Sequence, residues 1–413
     1  DNWNGTFTFR TDRDFNAADP ATYPERLAIR VPGPSEFTQK EHFFSLFAQD
    51  KWKLNSKLTL SIGARYDPEG PLRLTNGIAG PSEWEPYRVR GLAPGELTLA
   101  AVLGEAGYAT GAVVAGPWMK RVFGLDLGFE HYDDEQVLDI AGRPAAAVTD
   151  AALAWLDGLD GARPFFLFLN YYDPHPPLQA PEPYTFHYLP QGRRGERAAE
   201  DPQNWVDLYD AEIRYADASF GALVAGLEQR GLWGRTLAIV TADHGELFGE
   251  QGRWGHGESL SQAELCVPLI VRHPGPGAPV GRESDPIQIV DVPALVLEAL
   301  DLPRSDAMQG ARAHPVVAEL DPQVFKPTGR WRALIDWPYK YVWNSQGQGG
   351  LYDLEHDPLE ERDLGGARAE RMRRELEVFL AGLPAPRSAA GERELDPELA
   401  RGLRDLGYLG KGK

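Results

Sequence analysis

The chain contains the run Thr236-Leu-Ala-Ile-Val-Thr-Ala-Asp-His-Gly-Glu246, in which an apolar stretch ends in side chains that bind metals and transfer protons. The apolar part is typical of a short strand that is buried on both faces in a parallel sheet. It therefore predicts an α/β fold in which Asp243 and His244 lie just beyond the carboxyl end of a central strand. Ligands bind at that edge of open α/β sheets, because the loops there diverge and leave a crevice.

Asp243 and His244 have the chemistry of metal ligands. Asp243 offers a hard carboxylate oxygen and His244 a neutral imidazole nitrogen, a mixed pair that suits Mg, Mn or Zn, whereas Ca sites prefer oxygen alone. Gly245 permits the sharp turn that two adjacent ligands need to reach one ion. The alternative is a surface turn without a function, since motifs this short often occur by chance.

Two further histidines lie in loops that suit a site. His256, in Trp254-Gly-His-Gly257, is on a flexible loop where it could contact an anionic substrate or protonate a leaving group. His175 follows the buried-strand pattern of residues 163–170, and prolines on both sides stiffen its loop. A Pro-rich turn whose histidine only caps a backbone carbonyl would have the same pattern.

Several segments, in order along the chain, resemble successive blocks of the sulfatase family, which belongs to the alkaline phosphatase superfamily. They are residues 95–114, 123–134, 173–175, 240–246, 254–257, 267–272 and 339–342. The match covers roughly residues 82–365, and its order makes it far more specific than any single motif. It implies an alkaline-phosphatase-like, mostly parallel sheet flanked by helices, and hydrolysis of sulfuric esters with a divalent metal.

The resemblance also implies roles for four residues. Asp243 and His244 would bind the metal, with Ca, Mg or Mn favoured over Zn. His175 and His256 would contact the sulfate ester, and His256 or a neighbour would assist departure of the alcohol. The substrate would be a small-molecule or glycan sulfate ester.

The sequence departs from the family at the nucleophile. Sulfatases carry metal-binding aspartates on a first strand, and then a Cys or Ser in a Cys/Ser-x-Pro-x-Arg setting that becomes formylglycine. These 413 residues supply neither, since the only cysteine, Cys266, is not followed by the required Arg. Free cysteine is among the most buried side chains, so we predict that Cys266 is a core residue. Gly257, Ser261 and Gln262 replace a Lys, a Tyr and a Glu that are common in the family, and we expect weak or absent activity.

The segment before this match has a different character. Residues 58–66 alternate apolar and polar side chains over the length of a membrane-barrel strand, and residues 44–54 alternate likewise. With Asn55-Ser56 as the turn, residues 43–66 predict a β-hairpin, and residues 6–9 a third, shorter strand.

Residues 41–67 resemble TonB-dependent outer-membrane receptors. Two or three strands cannot close a barrel, so this segment cannot act as a receptor. The alternative is an ordinary soluble hairpin, which shows the same alternation. The receptor resemblance implies a periplasmic or cell-envelope location, although no charged-then-apolar leader is recognisable in these residues.

The predicted organisation has five parts. They are a β-hairpin fragment (1–68), a linker (69–81), a truncated sulfatase-like core (82–320), a small antiparallel subdomain (321–365) and a helical tail (366–413). Within them, residues 205–229 and 288–300 have the apolar period of amphipathic helices, and residues 331–335, 340–343 and 350–353 that of short strands.

Composition excludes some partners. The net charge of −19 argues against nucleic acid, whose phosphates it would repel. The sequence also lacks any run approaching the roughly 20 apolar residues of a membrane helix.

Two other functions remain open. A phosphodiesterase, phosphonate hydrolase or phosphoglycerol transferase of the same superfamily would share Asp243 and His244, and histidine beside that Asp slightly favours this class. Alternatively, the chain is an inactive fusion of a receptor fragment with a sulfatase fragment, joined between Tyr66 and Trp84, where both resemblances stop.

Overall fold

A computed structural model describes residues 5–9, 24–29, 36–37, 59–61, 74–75, 88–90, 92, 96–137, 141–185, 202–257, 259–275, 277–278, 280–283, 286–305, 316–320, 329–382 and 392–394. The chain divides into two compact units. Residues 1–42, 70–84 and 413 form the first, and residues 43–69 and 85–412 form the second.

The first unit contains two antiparallel strand pairs. Strand β1 (Gly5–Phe9) pairs with β2 (Pro24–Ile29), and β3 (Glu36–Phe37) pairs with β5 (Leu74–Thr75). The predicted strand at residues 6–9 is confirmed, and its partner is β2.

The second unit is built on a six-stranded sheet. In spatial order its strands are β13 (Leu269–Arg272), β10 (Leu237–Thr241), β4 (Thr59–Ser61), β9 (Phe165–Leu169), β7 (Ala109–Val113) and β8 (His131–Asp133). Neighbouring strands are parallel, except that β13 runs antiparallel to β10 at one edge. The predicted α/β class, with a mostly parallel sheet, is confirmed. Two short antiparallel pairs add to the unit, namely β6 (Arg88–Arg90) with β18 (Glu392–Glu394), and β11 (Leu247–Phe248) with β12 (Trp254–Gly255).

Strand β4 corrects the predicted hairpin. Thr59 pairs in parallel with Leu237 of β10 on one side and with Phe166 of β9 on the other. Both edges of β4 are therefore occupied, so the prediction that residues 59–61 pair antiparallel within a hairpin is wrong. The predicted first strand and the turn, residues 43–58, lie outside the described residues.

Strand β9 shows why the strands of this sheet are almost wholly apolar. Phe165, Leu167 and Leu169 face a core shared with the helices α2 (Ala145–Asp157) and α3 (Pro202–Gln229). Phe166 faces a second core, shared with α1 (Leu99–Glu105) and α5 (Val292–Ala299). Because helices cover both faces of the sheet, alternate residues of the strand are buried on opposite sides. The helix predicted from the amphipathic pattern of residues 205–229 is confirmed, because these residues lie in α3.

A four-stranded antiparallel sheet follows the parallel one along the chain. It comprises β14 (Val316–Leu320), β15 (Trp331–Asp336), β16 (Tyr339–Asn344) and β17 (Gly349–Asp353), and the helix α6 (Gly366–Gly382) packs on it through Met372 and Leu376. The three predicted short strands are present. The sheet begins at Val316, before the expected boundary at residue 321.

Lys340 connects this sheet to the loop after His256. The Lys340 side chain is fully buried, and its Nζ lies 2.6 Å from Oε1 of Glu360. Nζ also donates to the carbonyl oxygen of Leu260. Burial lowers the pKa of Lys340, and the charge of Glu360 opposes that effect.

Cys266 is exposed, so the prediction that it is a core residue is wrong. It follows the four-residue helix α4 (Gln262–Leu265) and precedes β13, an edge strand that includes an exposed residue, Ile270. A short apolar run in an edge strand has the same sequence pattern as a run in the core. Which strand lies at an open edge depends on the whole fold, so the pattern alone does not show whether the run is buried. No helix in the described parts of the chain is long and apolar enough to cross a membrane.

Candidate active site

Asp243 and His244 directly follow β10, as the sequence predicts. Nδ1 of His244 lies 2.7 Å from the carbonyl oxygen of Gly245, so Nε2 is the nitrogen that this ring presents to a ligand. Oδ2 of Asp243 lies 3.8 Å from that Nε2. The Asp243 and His244 side chains are 48% and 23% exposed, and both are accessible to a ligand.

Gly245 is needed for a close approach of two backbone segments. Its N–H donates to the carbonyl oxygen of Glu264 at 2.8 Å, and a Cβ at this position would collide with the carbonyl oxygen of Ala263. Its φ is not positive, so the predicted reason, a turn that only glycine can adopt, does not apply. The glycine instead allows α4 to lie against the segment that carries His244.

His256 is oriented by Glu246. Nδ1 of His256 lies 2.8 Å from Oε2 of Glu246, and both side chains are largely buried. Glu246 precedes β11 and His256 follows β12, so the antiparallel pairing of these strands brings the two side chains together. A carboxylate bonded to Nδ1 fixes the tautomer of an imidazole and leaves Nε2 for a ligand.

A buried carboxylate fixes the loop around His256. Glu264 accepts hydrogen bonds from the N–H of Gly257, at 2.7 Å, and from the hydroxyl of Ser259. Gly255 and Gly257 have φ values of 81° and 73°, which favour glycine. The loop was expected to be flexible, but these bonds hold it in place.

His175 lies in the loop that follows β9, as predicted. Its ring stacks on Tyr172 with centroids 4.3 Å apart, and its Nδ1 lies 2.6 Å from the carbonyl oxygen of Pro176. The Tyr172 ring lies against Gly116 and Gly142, where a Cβ would collide with the ring. Packing of the tyrosine, in addition to the prolines, therefore holds the imidazole.

The three predicted histidines meet in one place. The ring centroids of His244 and His256 are 4.2 Å apart, and those of His175 and His256 are 5.5 Å apart. Burial, reinforced by the charge of His256, lowers the pKa of His175 to about 4. His175 is therefore neutral near pH 7.

The structure also brings together possible metal donors. His244, Glu246 and His256 each offer one ligand atom, and these atoms lie within 4.8 Å of one another. Asp243 is outside this group, but its Oδ2 is near Nε2 of His244. These donors combine nitrogen and oxygen, so they differ from the all-oxygen sets that calcium prefers.

Sequence reasoning missed the residues that hold the histidines. Glu246 is part of the quoted motif, but the sequence analysis predicts no role for it, and it predicts none for Tyr172 or Glu264. Tyr209 of α3 was missed too. Its ring centroid is 4.9 Å from that of Phe248 in β11. Burial raises its pKa, and the charges of Glu246 and Asp243 raise it further. Only Glu246 had a sequence signal, since it follows the ligand pair directly.

The model of the sulfatase family matches residues 73–302, which is more than half of the chain. The chain belongs to the sulfatase family. A model described as an outer membrane beta barrel domain matches residues 1–114 and overlaps the first match. Both resemblances seen in the sequence are therefore confirmed at the level of families.

Two relatives illustrate what this sulfatase-family chain is similar to. The multifunctional alkaline phosphatase superfamily protein PehA of Trinickia caryophylli is 29% identical over 285 residues, which cover 53% of this chain and 54% of the relative. An arylsulfatase of Clostridium perfringens is 23% identical over 264 residues, which cover 54% of this chain and 53% of the relative. The chain thus spans about half the length of the curated relatives it matches.

A solved structure supports the fold of this sulfatase-family chain. It holds D-glucosamine-2-N,6-O-disulfate, described as its substrate, and is 17% identical with a TM-score of 0.54. The alignment covers 70% of this chain and 82% of that one. At this identity the likeness concerns the fold alone, and it confirms the expected alkaline-phosphatase-like architecture.

Proposed function

We propose that this site hydrolyses sulfate monoesters with the help of a divalent metal. The observation that carries the proposal is the meeting of His175, His244 and His256 beyond the carboxyl ends of β9 and β10. Family membership and the arylsulfatase relative support it. The substrate class is a small-molecule or glycan sulfate ester, such as the sulfated glucosamine bound by the structural neighbour.

Asp243 and His244 are the proposed metal ligands. Oδ2 of Asp243 and Nε2 of His244 are 3.8 Å apart, so one ion about 2.0–2.2 Å from each could contact both. A bound ion would offset negative charge on the sulfuryl oxygens.

His256 is the proposed acid for the departing alcohol. Glu246 accepts from Nδ1 and stabilises the imidazolium form, so Nε2 can carry the proton that the alkoxide needs. His175 is proposed to contact the sulfate. It is neutral near pH 7 without a ligand, and an anionic ester beside it would raise its pKa and favour the protonated form.

The nucleophile is unassigned in this proposal. Within the 413 residues, Cys266 is not part of a complete Cys/Ser-x-Pro-x-Arg setting. We therefore expect weak or absent turnover by this chain alone, since loss of a nucleophile removes much of the transition-state stabilisation.

The test compares binding and turnover of an aryl sulfate by the purified chain, with Mg, Mn, Ca or Zn added. We expect metal-dependent binding that His175→Ala and His256→Ala weaken. His131→Ala is the matched control, because His131 is an exposed residue at the start of the edge strand β8. Binding that both site variants leave unchanged would contradict the proposal.

Phosphodiester or phosphonate hydrolysis, or phosphoglycerol transfer, is the second candidate. The histidine that follows Asp243 slightly favours this class. An aryl phosphodiester and an aryl phosphonate in the same assay separate the candidates. Turnover of either one above that of the sulfate would favour the second.

An inactive fusion is the candidate from a different class. The outer-membrane barrel match and the sulfatase match overlap over residues 73–114, and the barrel match is also what supports a cell-envelope location. Single DNA molecules that span the codons for residues 40–110 and both flanking genes test it. If no DNA molecule carries the junction between the codons for Tyr66 and Trp84, the fusion candidate is rejected. The reading frame that encodes these 413 residues is then rejected as well.

A further inference from the structure

A cavity of about 230 Å³ lies between the β11–β12 hairpin, the loop that follows it and the four-stranded sheet. Leu260, Trp331 and Val342 are buried and form an apolar base. Gln251 and Gln348 are exposed and lie at the rim, so the cavity is open to solvent. Pockets for drug-sized ligands occupy roughly 300–1,000 Å³, so this smaller cavity suits a single ring.

Arg253 supplies the positive charge of the cavity. Its Nη1 donates to Oε1 of Gln251 at 2.9 Å and its Nη2 to Oε1 of Gln348 at 3.3 Å. Its Cζ lies 5.4 Å from the ring centroid of Trp331. Both amides are neutral, and among the described residues no carboxylate pairs with Arg253. A guanidinium has more N–H groups than these two bonds use, so Arg253 retains donors and an uncompensated charge for an anion.

Ser261 offers an unused hydroxyl at the wall of the cavity. The residue is 9% exposed, and its Oγ is buried without a hydrogen-bond partner in the part of the chain that the structure describes. An unmade hydrogen bond of a buried hydroxyl is unfavourable. The side chain therefore loses no bond when it turns towards the cavity, and it gains one when the ligand there carries a hydroxyl group.

Hydrogen bonds to the four-stranded sheet and the segment after it fix the walls of the cavity. The N–H of Gln262 donates to Oε2 of Glu360 at 2.6 Å, and Nζ of Lys340 donates to the carbonyl oxygen of Leu260. Nε2 of Gln251 donates to the carbonyl oxygen of Glu360 at 3.3 Å. A ligand therefore does not have to order these walls, which lowers the cost of binding. The charges of Lys340 and Glu360 offset each other, so Arg253 sets the sign of the charge in the cavity.

We propose that the cavity binds an acidic sugar unit of a glycan, with its carboxylate on Arg253 and its ring hydroxyls on Ser261 and Gln348. A carboxylate forms charge-assisted hydrogen bonds with a guanidinium, and these are roughly twice as strong as bonds between neutral groups. The C–H face of the ring lies on Leu260 and Val342 in this arrangement. One ring of a sugar acid thus offers a partner to each group of the lining.

The cavity is within reach of the proposed ester site. Ser259 lines the cavity and comes three residues after His256, so their Cα atoms are at most about 11 Å apart. One oligosaccharide can therefore contact both places. This step rests on the proposed function: if the histidines bind the sulfate, the substrate is a glycan in which an acidic sugar lies close to the sulfated one.

Binding of D-glucuronate by the purified full chain tests the cavity without any sulfate ester. Calorimetry compares it with D-glucose, which lacks the carboxylate, and we expect glucuronate to bind about 10–100-fold more tightly. Arg253→Gln should reduce the affinity for glucuronate to that for glucose. Arg235→Gln is the matched control, because it removes the same charge from an exposed residue before β10. Ser261→Ala should weaken the binding of both sugars by about 2–10-fold.

The indole N–H signal of Trp331 locates the bound sugar, because its ring lies beside Arg253 at the base of the cavity. We expect glucuronate to shift this signal in the wild type and not in Arg253→Gln. Equal affinities for glucuronate and glucose, or an unchanged affinity in Arg253→Gln, would overturn the proposal. If Arg253→Gln does not fold, the wild type decides alone, and a Trp331 signal that glucuronate leaves unmoved is then the contradicting result.

A disaccharide of glucuronate and 6-O-sulfated glucosamine tests the link to the ester site. It should bind more than about tenfold more tightly than glucuronate, because the second contact becomes intramolecular. Both Arg253→Gln and His175→Ala should remove that gain, and no gain in the wild type would overturn the link. Loss of sulfate binding beside intact glucuronate binding refutes the proposed function alone. Loss of glucuronate binding beside intact aryl sulfate binding refutes the cavity assignment alone.

Discussion

His256 and Glu246 form a hydrogen bond of 2.8 Å between Nδ1 and Oε2, across the paired strands β11 and β12. The two residues are ten positions apart in sequence. This bond commits one nitrogen of His256 to the protein and leaves the other for a ligand.

We expect Glu246→Gln to lower kcat/KM for an aryl sulfate, or the affinity for it, by about 10–100-fold. A glutamine can still accept from Nδ1, but it no longer stabilises the imidazolium. The nitrogen chemical shifts of His256 measure the accompanying fall in its protonation. Glu228→Gln, on an exposed part of α3, is the control, and equal affinities for the two variants would disprove the role of Glu246.

Gly245→Ala should destabilise the protein by about 1–3 kcal/mol, because the new methyl group would overlap the carbonyl oxygen of Ala263. Gly221→Ala is the matched change on α3, where a Cβ meets nothing within 4 Å. It should stabilise by about 0.5–1 kcal/mol, since alanine costs less backbone entropy in a helix. Urea unfolding of both variants measures the difference, and a neutral Gly245→Ala would show that α4 can move away.

Removing one partner of the buried Lys340–Glu360 pair should cost about 3–5 kcal/mol, because the remaining charge is left without compensation. Glu360→Gln and Lys340→Met test this by urea unfolding. Arg163→Met is the control, because its pair with Glu130 is solvent-exposed and surface pairs contribute little. A similar loss of unfolding free energy in all three variants would contradict the assignment of Lys340 and Glu360 as a buried ion pair.

His175 should make folding less stable in acid. Its pKa is about 4 in the folded chain and 6.5 when unperturbed, so the unfolded state binds the proton first as the pH falls. The contribution of His175 is complete well above pH 6.5 and decreases by about 2.5–3 kcal/mol between pH 6.5 and 4. The free energy of unfolding of the wild type should therefore fall more over this range than that of His175→Gln. Parallel curves would show that the imidazole is not buried as described.

Much of the architecture could be predicted from local patterns. The apolar runs of β9 and β10 predict buried strands, and the period of residues 205–229 predicts α3. The same patterns placed His175 and His244 each beyond the carboxyl end of a strand, and the structure shows that both lie at one site because parallel strands end at the same edge of a sheet. The roles of the site residues stay predictions, since the observed geometry is compatible with them but does not test them.

The errors concern features that depend on neighbours distant in sequence. The alternation of residues 58–66 suits a hairpin strand, yet residues 59–61 lie between two parallel strands. Cys266 lies in an apolar run that is typical of a core segment, but the strand that follows it is at an open edge of the sheet. In both cases the local pattern is compatible with two environments, and it carries no information about which strand is adjacent.

By itself, the sequence determined the strands, the main helices and the loops in which the histidines lie, because the hydrophobic period and the turn residues act over a few neighbouring positions. Only the tertiary structure decided which side chains hold those histidines. Glu246 and Glu264 gain their roles from partners on other strands and loops. Burial of a carboxylate stabilises the fold only when such partners supply its hydrogen bonds, and their proximity exists only once the chain has folded.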